Sequence, residues 1–413
     1  MVIRDALGRV QSMDAGVLTP LVQEFIGPLA SLGYSPWSVI DFSLAARHFS
    51  AWLLVSGIAL SDVDDGVIGE FAHHQCGCPG SRPCGISSTT RINQARRFVR
   101  FLRDKGVVPS PAPPATPVIE PHVVKFQEWL RLHRGIATVS INQHRDKIIR
   151  MLPALGSDPT KYYAALVRQV ILDESRQCSK HHIKSLISSL RMYLRFLATC
   201  GECSPWLDRA IPSPIHWRLS ALPRYLSATD VERLVDSCSL STAAGLRDRA
   251  ILLLLARLGL RSGDVWAMRL GDIEWEEGTL KVCGKGRQEV RLPLPQDAGD
   301  ALLDYLTKAR PNTGADRVFL PILAPYRLFR RAAFVGDVVK LALKRAGITN
   351  APSHGAHMLR HSAATAMLRG GASLEAVGTV LRHRSVETTA HYAKVDRLML
   401  NRVVQPWPEG VLC

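Results

Sequence analysis

Four side chains between residues 357 and 392 have the types needed for chemistry at a phosphodiester: His357, Arg360, His383 and Tyr392. His357 and Arg360 are three positions apart, so on a helix their side chains lie on one face, about one turn apart. Guanidinium and imidazole groups bind phosphate oxygens and transfer protons, and a phenol can act as a nucleophile. Each residue alone is more often structural than catalytic. The four together, at these spacings, predict that they surround one phosphodiester.

Three short helices are predicted to position these residues. The apolar pattern at 358–368 predicts a helix that is buried on one side and ends at Gly370-Gly371. Ser373 and Ser385 are residue types that cap helix starts, and each begins a further short helix. The last of these helices carries Tyr392. The site is therefore expected to form where the three helices meet.

The charge of the chain indicates a polyanionic partner. Its 413 residues contain 52 Lys and Arg against 36 Asp and Glu, which gives a formal net charge of +16. Nucleic acid is the usual partner of so basic a protein, and an anionic membrane surface is the alternative. No basic amphipathic tail of the membrane-binding kind stands out, so we expect no membrane partner. The length allows two or three domains, and the 46% hydrophobic content indicates a folded chain.

Export and membrane insertion are not predicted. Residues 1–10 lack the apolar core of a signal peptide, and apolar runs such as 250–256 are too short to span a bilayer. Nine cysteines, an odd number, without a secretion signal indicate reduced thiols. We therefore expect a cytoplasmic protein.

Two stretches of the sequence contain residue types that can bind a metal ion. The stretch 73–84 has ligand types that suit zinc, including Cys76, Cys78 and Cys84. Its first two cysteines are only two positions apart, however, and no second pair follows, so a loop with incidental cysteines is favoured and zinc is left open. His357 and His361 have an i,i+4 spacing, but no Glu follows His357 as a zinc-protease helix requires. No metal is expected in the candidate site.

A proline-rich stretch separates the first two predicted domains. Residues 109–117 contain five prolines, which exclude helix and favour a semi-rigid spacer. The resulting division is a helical domain at 1–108, the linker at 109–117, a helical domain at 118–210, a C-terminal domain at 217–400 and a tail at 401–413. Apolar periodicity predicts the helices of the first two domains: 17–32, 37–57, 88–105, 120–132, 140–155, 161–173 and 180–199.

The two helical domains are alike near their ends. Residues 96–102, followed by Gly106, match residues 191–197, followed by Gly201, at a constant offset of 95. This match predicts a weak tandem duplication of a small helical domain. The matching helices carry basic residues suited to a DNA backbone: Arg96, Arg97 and Arg100 in the first, and Lys184, Arg191 and Arg195 in the second. A plain solvated face is an equally common reading of such residues.

The C-terminal domain combines helices with a hairpin. An apolar helix at 247–258 ends shortly before Arg261. Alternating residues at 279–283 and 288–294 predict two strands, joined by a turn that contains Lys285. A lysine at such a tip is either a surface charge or a proton donor for a nearby site. Further helices are predicted from Ser227 and at 265–270, 298–310 and 328–346.

In order and spacing, these residues resemble the tyrosine recombinase (phage integrase) family. The resemblance rests on five positions, the third of which is a pair of residues: Arg261 after Gly-Leu, Lys285 in a β-turn, His357-x-x-Arg360, His383 and Tyr392. It covers about 217–400, and 118–210 resembles the core-binding domain of that family. Two positions depart from the family pattern: Asp264 stands where Glu is usual and Arg382 where Gly is usual. Neither departure removes a reacting group.

The resemblance implies a fold and a reaction. The fold is mainly α with a small β-sheet in the catalytic domain, preceded by helical SAM-like DNA-binding domains in a C-shaped clamp. The reaction is site-specific DNA strand cleavage and rejoining through a 3′-phosphotyrosine, in DNA integration, recombination or transposition of a mobile element. No cofactor is implied, because guanidinium groups supply the charge that Mg²⁺ supplies elsewhere. The implied partner is double-stranded DNA, bound by a homo-tetramer on two duplexes, with or without related recombinases.

Roles for the site residues follow from the same resemblance. Arg261 and Arg360 would bind the non-bridging phosphate oxygens. His357 would accept the proton of the nucleophile, Tyr392, or share that task through the phosphate. His383 would donate a hydrogen bond to a phosphate oxygen. Lys285 would protonate the departing 5′ oxygen. Asp264 would orient Arg261 or a neighbour.

Two alternative functions are consistent with the same residues. One is a catalytically idle DNA-binding accessory protein of this fold, which the intact five positions argue against. The other is a type IB topoisomerase-like nicking and rejoining enzyme, which the two preceding helical domains argue against. The apolar segment 395–413 is expected to dock either on a neighbouring subunit or on its own domain. A bacterial protein of this kind is expected at the nucleoid.

Overall fold

The computed structural model describes residues 15–74, 89–111, 119–213, 223–283, 289–383 and 385–395. Contacts divide the chain into two compact units, one of residues 1–111 with 221–413 and the other of residues 112–220. Most of the predicted linker and the whole tail lie outside the described residues. The finer division at residues 108 and 217 stays a prediction.

Four α-helices form the N-terminal part of the first unit: α1 (Thr19–Ile26), α2 (Pro36–Val55), α3 (Asp65–His73) and α4 (Thr89–Asp104). Aromatic rings fill the space between them, and Phe49, Phe71 and Phe98 are fully buried. Helices α2 and α4 agree with the predicted helices at 37–57 and 88–105. Helix α3 was not predicted.

The predicted helix at 17–32 is too long. Helix α1 ends at Ile26, and 3-10 turns precede and follow it. Pro28 has no N–H to donate to the helix, so the α-helical hydrogen-bond pattern stops there. The apolar spacing alone did not reveal this break.

The second unit contains four further α-helices: α5 (Pro121–Arg134), α6 (Thr138–Leu155), α7 (Ala164–Gln177) and α8 (Lys180–Thr199). Helix α8 is the centre of this unit, with Leu186, Leu190 and Tyr193 fully buried. Ser179 caps its start by accepting a hydrogen bond from His182 N–H at 3.4 Å. The predicted bounds of α8, 180–199, are those of the structure.

Helices α4 and α8 end in the same way. Each is followed by a glycine with positive φ, Gly106 at +72° and Gly201 at +73°. Past each glycine, a backbone N–H donates back into the helix at equivalent positions, with N···O distances of 2.9 and 2.8 Å. Buried residues also correspond at the offset of 95: Phe98 with Tyr193, Val99 with Leu194, and Leu102 with Leu197. This likeness supports the predicted duplication, which itself stays a prediction.

Eight α-helices belong to the C-terminal part of the first unit: α9 (Ala228–Asp236), α10 (Ala243–Leu258), α11 (Ser262–Ala267), α12 (Gln296–Lys308), α13 (Ala333–Arg345), α14 (Ala356–Arg369), α15 (Leu374–Val380) and α16 (Val386–Ala390). Helix α10 is apolar on nearly every side, and Leu252, Leu254 and Leu255 are fully buried. Such a helix must be covered all round. Helices α12, α13 and α14 pack against it.

A three-stranded antiparallel sheet accompanies these helices: β1 (Ile273–Glu274), β2 (Thr279–Cys283) and β3 (Glu289–Pro293). In the β2–β3 pair, Leu280 lies opposite Leu292, and both side chains are buried. The predicted hairpin is therefore confirmed, and β1 adds a short strand to it. The prediction of a mainly α fold with a small β-sheet is also confirmed.

The helix predicted at 328–346 begins five residues later, at Ala333. The indole Nε1 of Trp266 donates a hydrogen bond to the carbonyl oxygen of Phe329 at 2.7 Å. That contact comes from a distant part of the chain and uses a carbonyl that a helix would otherwise need.

Among the described residues, no helix combines the length and the apolar content needed to cross a bilayer.

Candidate active site

The first predicted site residue follows directly after the central helix α10. Gly259 ends this helix in the left-handed region, with φ at +58°. A Cβ atom there would lie 2.5 Å from Cδ2 of Leu381, so any other residue would have to displace this buried side chain and adopt a strained φ. Arg261 then begins α11, where Oδ2 of Asp264 accepts a hydrogen bond from its backbone N–H at 2.8 Å. This bond fixes the backbone of Arg261 at the start of the helix.

Arg360 of α14 is buried at the end of α10 and is only 1% exposed. Its Nη1 and Nη2 donate hydrogen bonds to the main-chain oxygens of Gly259 and Leu381. A guanidinium has five N–H donors, so three remain for a ligand. Burial, and then the charge of Arg261, lower the pKa of Arg360 to about 10. The side chain is therefore still cationic at neutral pH.

Arg382 connects the end of α15 with the start of α11. Its carbonyl oxygen accepts a hydrogen bond from Nη2 of Arg261 at 3.2 Å. Its guanidinium donates to Oδ2 of Asp264. Asp264, which the sequence predicted to orient Arg261 or a neighbour, thus contacts both residues.

His383 lies next to Tyr392 with its ring parallel to the phenol ring, at 6.2 Å between centroids. Nδ1 of His383 lies 2.8 Å from Oγ1 of the buried Thr389. Burial, followed by the charges of Arg360 and Arg261, lowers the pKa of His383 to about 4. The imidazole is therefore neutral at neutral pH, and its Nε2 is the second atom that can hydrogen-bond a ligand.

Tyr392 lies on the 3-10 turn His391–Val395, directly after α16, and is only 2% exposed. Its hydroxyl oxygen lies 2.8 Å from Nδ1 of His361. Burial raises the pKa of Tyr392, and the charge of Arg360 partly opposes that rise. Burial, and then the neighbouring His357, lower the pKa of His361 to about 4. A neutral imidazole beside a protonated phenol is the arrangement needed for proton transfer.

His357 packs against His361, edge to face, with 4.5 Å between ring centroids. Burial, and then the charges of Arg360 and Arg261, lower the pKa of His357. Among the described residues, the imidazole that hydrogen-bonds the phenol of Tyr392 is that of His361, and the acceptor role of His357 stays a prediction. The reason for this contact is geometric, because His361 lies one turn further along α14 and there meets the turn that carries the phenol.

Five of the six predicted catalytic residues lie close together in the structure: Arg261, His357, Arg360, His383 and Tyr392. The sixth, Lys285, lies between β2 and β3 and outside the described residues. Two further members of the cluster, His361 and Arg382, were given no role by the sequence. The signal for His361 is its i,i+4 spacing from His357, which places both rings on one face of α14.

Metal ligation finds no support in the part of the chain that the structure describes, where no group of three His, Cys, Asp or Glu side chains is arranged to hold an ion. Cys76, Cys78 and Cys84 lie outside the described residues, so the zinc site considered for that stretch stays open.

The predicted DNA-binding residues of α4, Arg96, Arg97 and Arg100, all lie on its exposed face. Nη1 of Arg97 donates to the hydroxyl of Tyr34 at 2.7 Å, which holds this guanidinium against its own domain. Nη1 of Arg96 donates to the side chain of Asn93 one turn away, at 3.3 Å. Arg96 and Arg100 are therefore the better placed of the three to contact a ligand.

A basic groove of about 380 Å³ runs beside α8, and its lining includes Arg134, Lys184, Arg191 and Arg195. Nη2 of Arg191 donates to the carbonyl oxygen of Ile211 at 2.8 Å, so this residue also holds the domain together. Arg195 pairs with Asp208 at 2.7 Å but stays 60% exposed. The three residues predicted on α8 thus border one groove, with Arg191 already engaged by the fold.

Known recombinases resemble this chain in sequence over most of its length. The model of the phage integrase family matches residues 224–398. The integrase/recombinase y4rA of Sinorhizobium fredii is 37% identical over 390 residues, which cover 92% of this chain and 92% of that protein. The tyrosine recombinase XerD of Listeria innocua is 32% identical over 230 residues, which cover 54% of this chain and 75% of that protein.

Solved structures of the same class share the fold. A lambda integrase described as a tetramer bound to a Holliday junction matches with a TM-score of 0.55 at 15% identity, over 80% of this chain and 91% of that chain. The fold and the sequence together define a tyrosine recombinase. The chain belongs to the phage integrase family, and it is a site-specific recombinase.

Proposed function

We propose that this recombinase cuts and rejoins DNA strands by transferring the scissile phosphate to Tyr392. The phenol oxygen attacks phosphorus and the bond to the 5′ oxygen breaks, which leaves a 3′-phosphotyrosine and a free 5′-hydroxyl. Attack by a 5′-hydroxyl from the partner duplex reverses the step, so the bond energy is conserved. The observation that carries this proposal is the 2.8 Å contact between Tyr392 and His361 in a cluster that also holds Arg261 and Arg360.

Arg261 and Arg360 are assigned to the non-bridging oxygens of the phosphate. These oxygens gain negative charge in the pentacoordinate transition state, where charge-assisted hydrogen bonds from fixed guanidinium groups are strongest. Arg360 is held in place by two main-chain oxygens and keeps three N–H donors. Because the guanidinium groups supply the positive charge, the proposed reaction needs no metal or other cofactor.

His361 is proposed to take the proton of the phenol. With its own proton on Nε2, its Nδ1 can accept the hydrogen bond from Tyr392. The lowered pKa of His361 keeps this acceptor free in the resting protein. The negative charge of an incoming phosphate raises the pKa of the imidazole and so favours the transfer. His357 is the alternative acceptor, and variants of the two residues distinguish them.

Two further side chains are assigned to oxygens of the scissile phosphate, one to a non-bridging oxygen and one to the departing 5′ oxygen. His383 offers its Nε2 to a non-bridging oxygen, since Nδ1 is engaged by Thr389. Lys285, which lies outside the described residues, is assigned the proton for the departing 5′ oxygen on the strength of the family resemblance.

Double-stranded DNA is the proposed partner, contacted by the basic groove beside α8 and by the exposed arginines of α4. The net charge of +16 supports a polyanionic partner. A tetramer on two duplexes is proposed, in keeping with the lambda integrase that is described as a tetramer bound to a Holliday junction. We place this activity in the integration or transposition of a mobile element, at the nucleoid of a bacterial cytoplasm. The helical domains at 1–108 and 118–210 would be tandem copies of one DNA-binding module.

Covalent trapping tests the proposal. The wild-type protein and Tyr392→Phe are incubated, in EDTA, with nicked suicide substrates made from the DNA that flanks the gene. We expect a denaturation-resistant protein–DNA adduct from the wild type alone. Tight binding of the same DNA without any adduct would instead indicate an idle DNA-binding protein. Relaxation of supercoiled DNA without strand exchange would indicate a topoisomerase-like enzyme.

A further inference from the structure

Arg382 has unused hydrogen-bond donors inside the candidate active site. Its side chain is 6% exposed and that of Asp264 is 8% exposed. Nη2 of Arg382 donates to Asp264, but its Nε and Nη1 are buried without a partner among the described residues. These two nitrogens carry three of the five N–H donors of a guanidinium. Burying them unpaired costs free energy of folding unless a ligand supplies acceptors.

The backbone at Arg382 adds a second cost. Its φ of +54° lies in the left-handed region, where a Cβ atom crowds the main chain. Glycine would adopt this conformation without strain. Backbone strain at a buried polar residue is typical of functional sites.

The residues around Arg382 are those assigned to the phosphate. Its own carbonyl oxygen accepts a hydrogen bond from Arg261 at 3.2 Å. The carbonyl oxygen of the preceding residue, Leu381, accepts one from Arg360. The following residue, His383, stacks beside the phenol ring of Tyr392. The unused donors therefore belong to a segment that contacts Arg261, Arg360 and the nucleophile Tyr392.

We propose that Nε and Nη1 of Arg382 bind the scissile phosphate, as a third guanidinium beside Arg261 and Arg360. This inference rests on the phosphotyrosine reaction proposed above. Nη2 stays with Asp264, which holds the side chain in place, and the phosphate oxygens supply the acceptors that the described residues do not provide. Arginine suits this use because its donors are fixed in one plane and stay charged when buried.

The developing charge agrees with this assignment. A phosphodiester carries one negative charge, and its pentacoordinate transition state, with the phenol deprotonated, carries about two. A third guanidinium would place positive charge where this negative charge develops.

The competing explanation is that Arg382 serves only as a counterion for Asp264. If Arg382 were only a counterion, its removal would slow adduct formation to the same extent whatever the charge of the scissile phosphate. A phosphate ligand has an effect that depends on the charge of the phosphate. Substrates with a methylphosphonate at the scissile position, which carry no charge there, separate the two roles.

The experiment compares adduct formation by the wild type and by Arg382→Gly on phosphodiester and methylphosphonate suicide substrates. Both methylphosphonate diastereomers are used, because either non-bridging oxygen can be the one that is bound. Glycine accepts the φ of +54°, so the variant is expected to fold, which its melting temperature reports. We expect Arg382→Gly to be slower by about 10²-fold on the phosphodiester, as for loss of an oxyanion donor. On at least one methylphosphonate it should be nearly as fast as the wild type.

Arg345→Ala is the matched control. Arg345 also pairs with a buried carboxylate, that of Asp248, at 3.4 Å. Asp248 precedes the end of α10 by ten residues, which places it about 15 Å along the helix from the site. Removal of the Arg345 side chain is expected to lower the stability of the protein and to leave the ratio of the rates on the two substrates unchanged.

Equal slowing of Arg382→Gly on both substrates would overturn the inference and make Arg382 a counterion. An unchanged rate on the phosphodiester would overturn it as well. If Arg382→Gly fails to fold, Arg382→Gln, which keeps a donor for Asp264 but has no charge, takes its place in the same comparison. A wild type that forms no adduct on either substrate would contradict the phosphotyrosine reaction itself, a result distinct from failure of Arg382 alone.

Discussion

The phenol oxygen of Tyr392 lies 2.8 Å from Nδ1 of His361, one helical turn beyond His357 on α14. The same helix carries Arg360, so one rigid element positions both the partner of the nucleophile and a phosphate-binding group. The contact also gives the hydroxyl of a buried phenol a hydrogen-bond partner, which a buried tyrosine normally requires. The resting position of the nucleophile is therefore set by α14.

Replacement of His361 by phenylalanine should slow adduct formation by about 10²-fold or more, because the phenol loses its proton acceptor. The ring keeps its size, so packing around Tyr392 should change little. Single-turnover rates on suicide substrates measure the effect. His357→Phe, one turn earlier on the same helix, is the matched variant and should lose less. A larger loss for His357→Phe would restore His357 as the acceptor.

The rate of adduct formation at limiting DNA concentration should stay constant from pH 8 down to about 5, where the free protein's acceptor is still neutral. Burial lowers the pKa of both His361 and His383 to about 4, so the rate should fall only as the pH approaches that value. Single-turnover rates across this range provide the measurement. An inflection near the ordinary histidine pKa of 6.5 would show that neither ring is the group that limits the reaction.

The free energy of unfolding should fall as the pH decreases from 6.5 toward 4. His48, His361 and His383 each have a pKa of about 4 in the folded protein, chiefly because of burial, against 6.5 ordinarily. Between these values the unfolded chain binds more protons than the folded one, so acid favours unfolding. Urea titrations at several pH values measure the slope, and His48→Phe should reduce it. An equal slope in that variant would exclude His48 as a contributor.

Replacement of Gly259 by alanine should destabilise the protein by about 2 kcal/mol or more, from strain at positive φ and from overpacking. The new Cβ would lie 2.5 Å from Cδ2 of Leu381, in the segment that leads to Arg382. Urea unfolding provides the free energy. Gly336→Ala, inside α13 and with no atom within 4 Å of a new Cβ, is the control and should stabilise the protein by about 0.5–1 kcal/mol. Similar results for the two variants would contradict the close approach at Gly259.

Replacement of Lys184 by alanine should weaken DNA binding on any sequence and reduce the slope of log affinity against log salt by about one. Its place in the groove beside α8 is the reason. Arg176→Ala is the control in the same unit, since Arg176 is 76% exposed and pairs with Asp173 outside the groove. An equal loss of slope in both variants would mean that the groove is not the DNA-binding surface.

Much of the local structure was predictable, because it depends on residues close together in the sequence. The apolar spacing of α8 and its cap at Ser179 determined both of its ends. Ser373 and Ser385 begin α15 and α16 through their own side chains, as expected of cap residues. The types and order of the site residues were also readable, because each kind of chemistry needs a particular functional group.

The contacts between those residues were decided by the tertiary structure alone. Arg360 reaches the carbonyl oxygen of Gly259 across 101 positions, and Arg382 reaches Asp264 across 118. The sequence showed Arg382 only as an unusual residue, and it assigned the proton of Tyr392 to His357. Because α14 packs against the 3-10 turn His391–Val395, the phenol of Tyr392 forms its hydrogen bond with His361. Helical periodicity shows which residues share a face, but which of them meets a distant segment depends on how separate helices pack together.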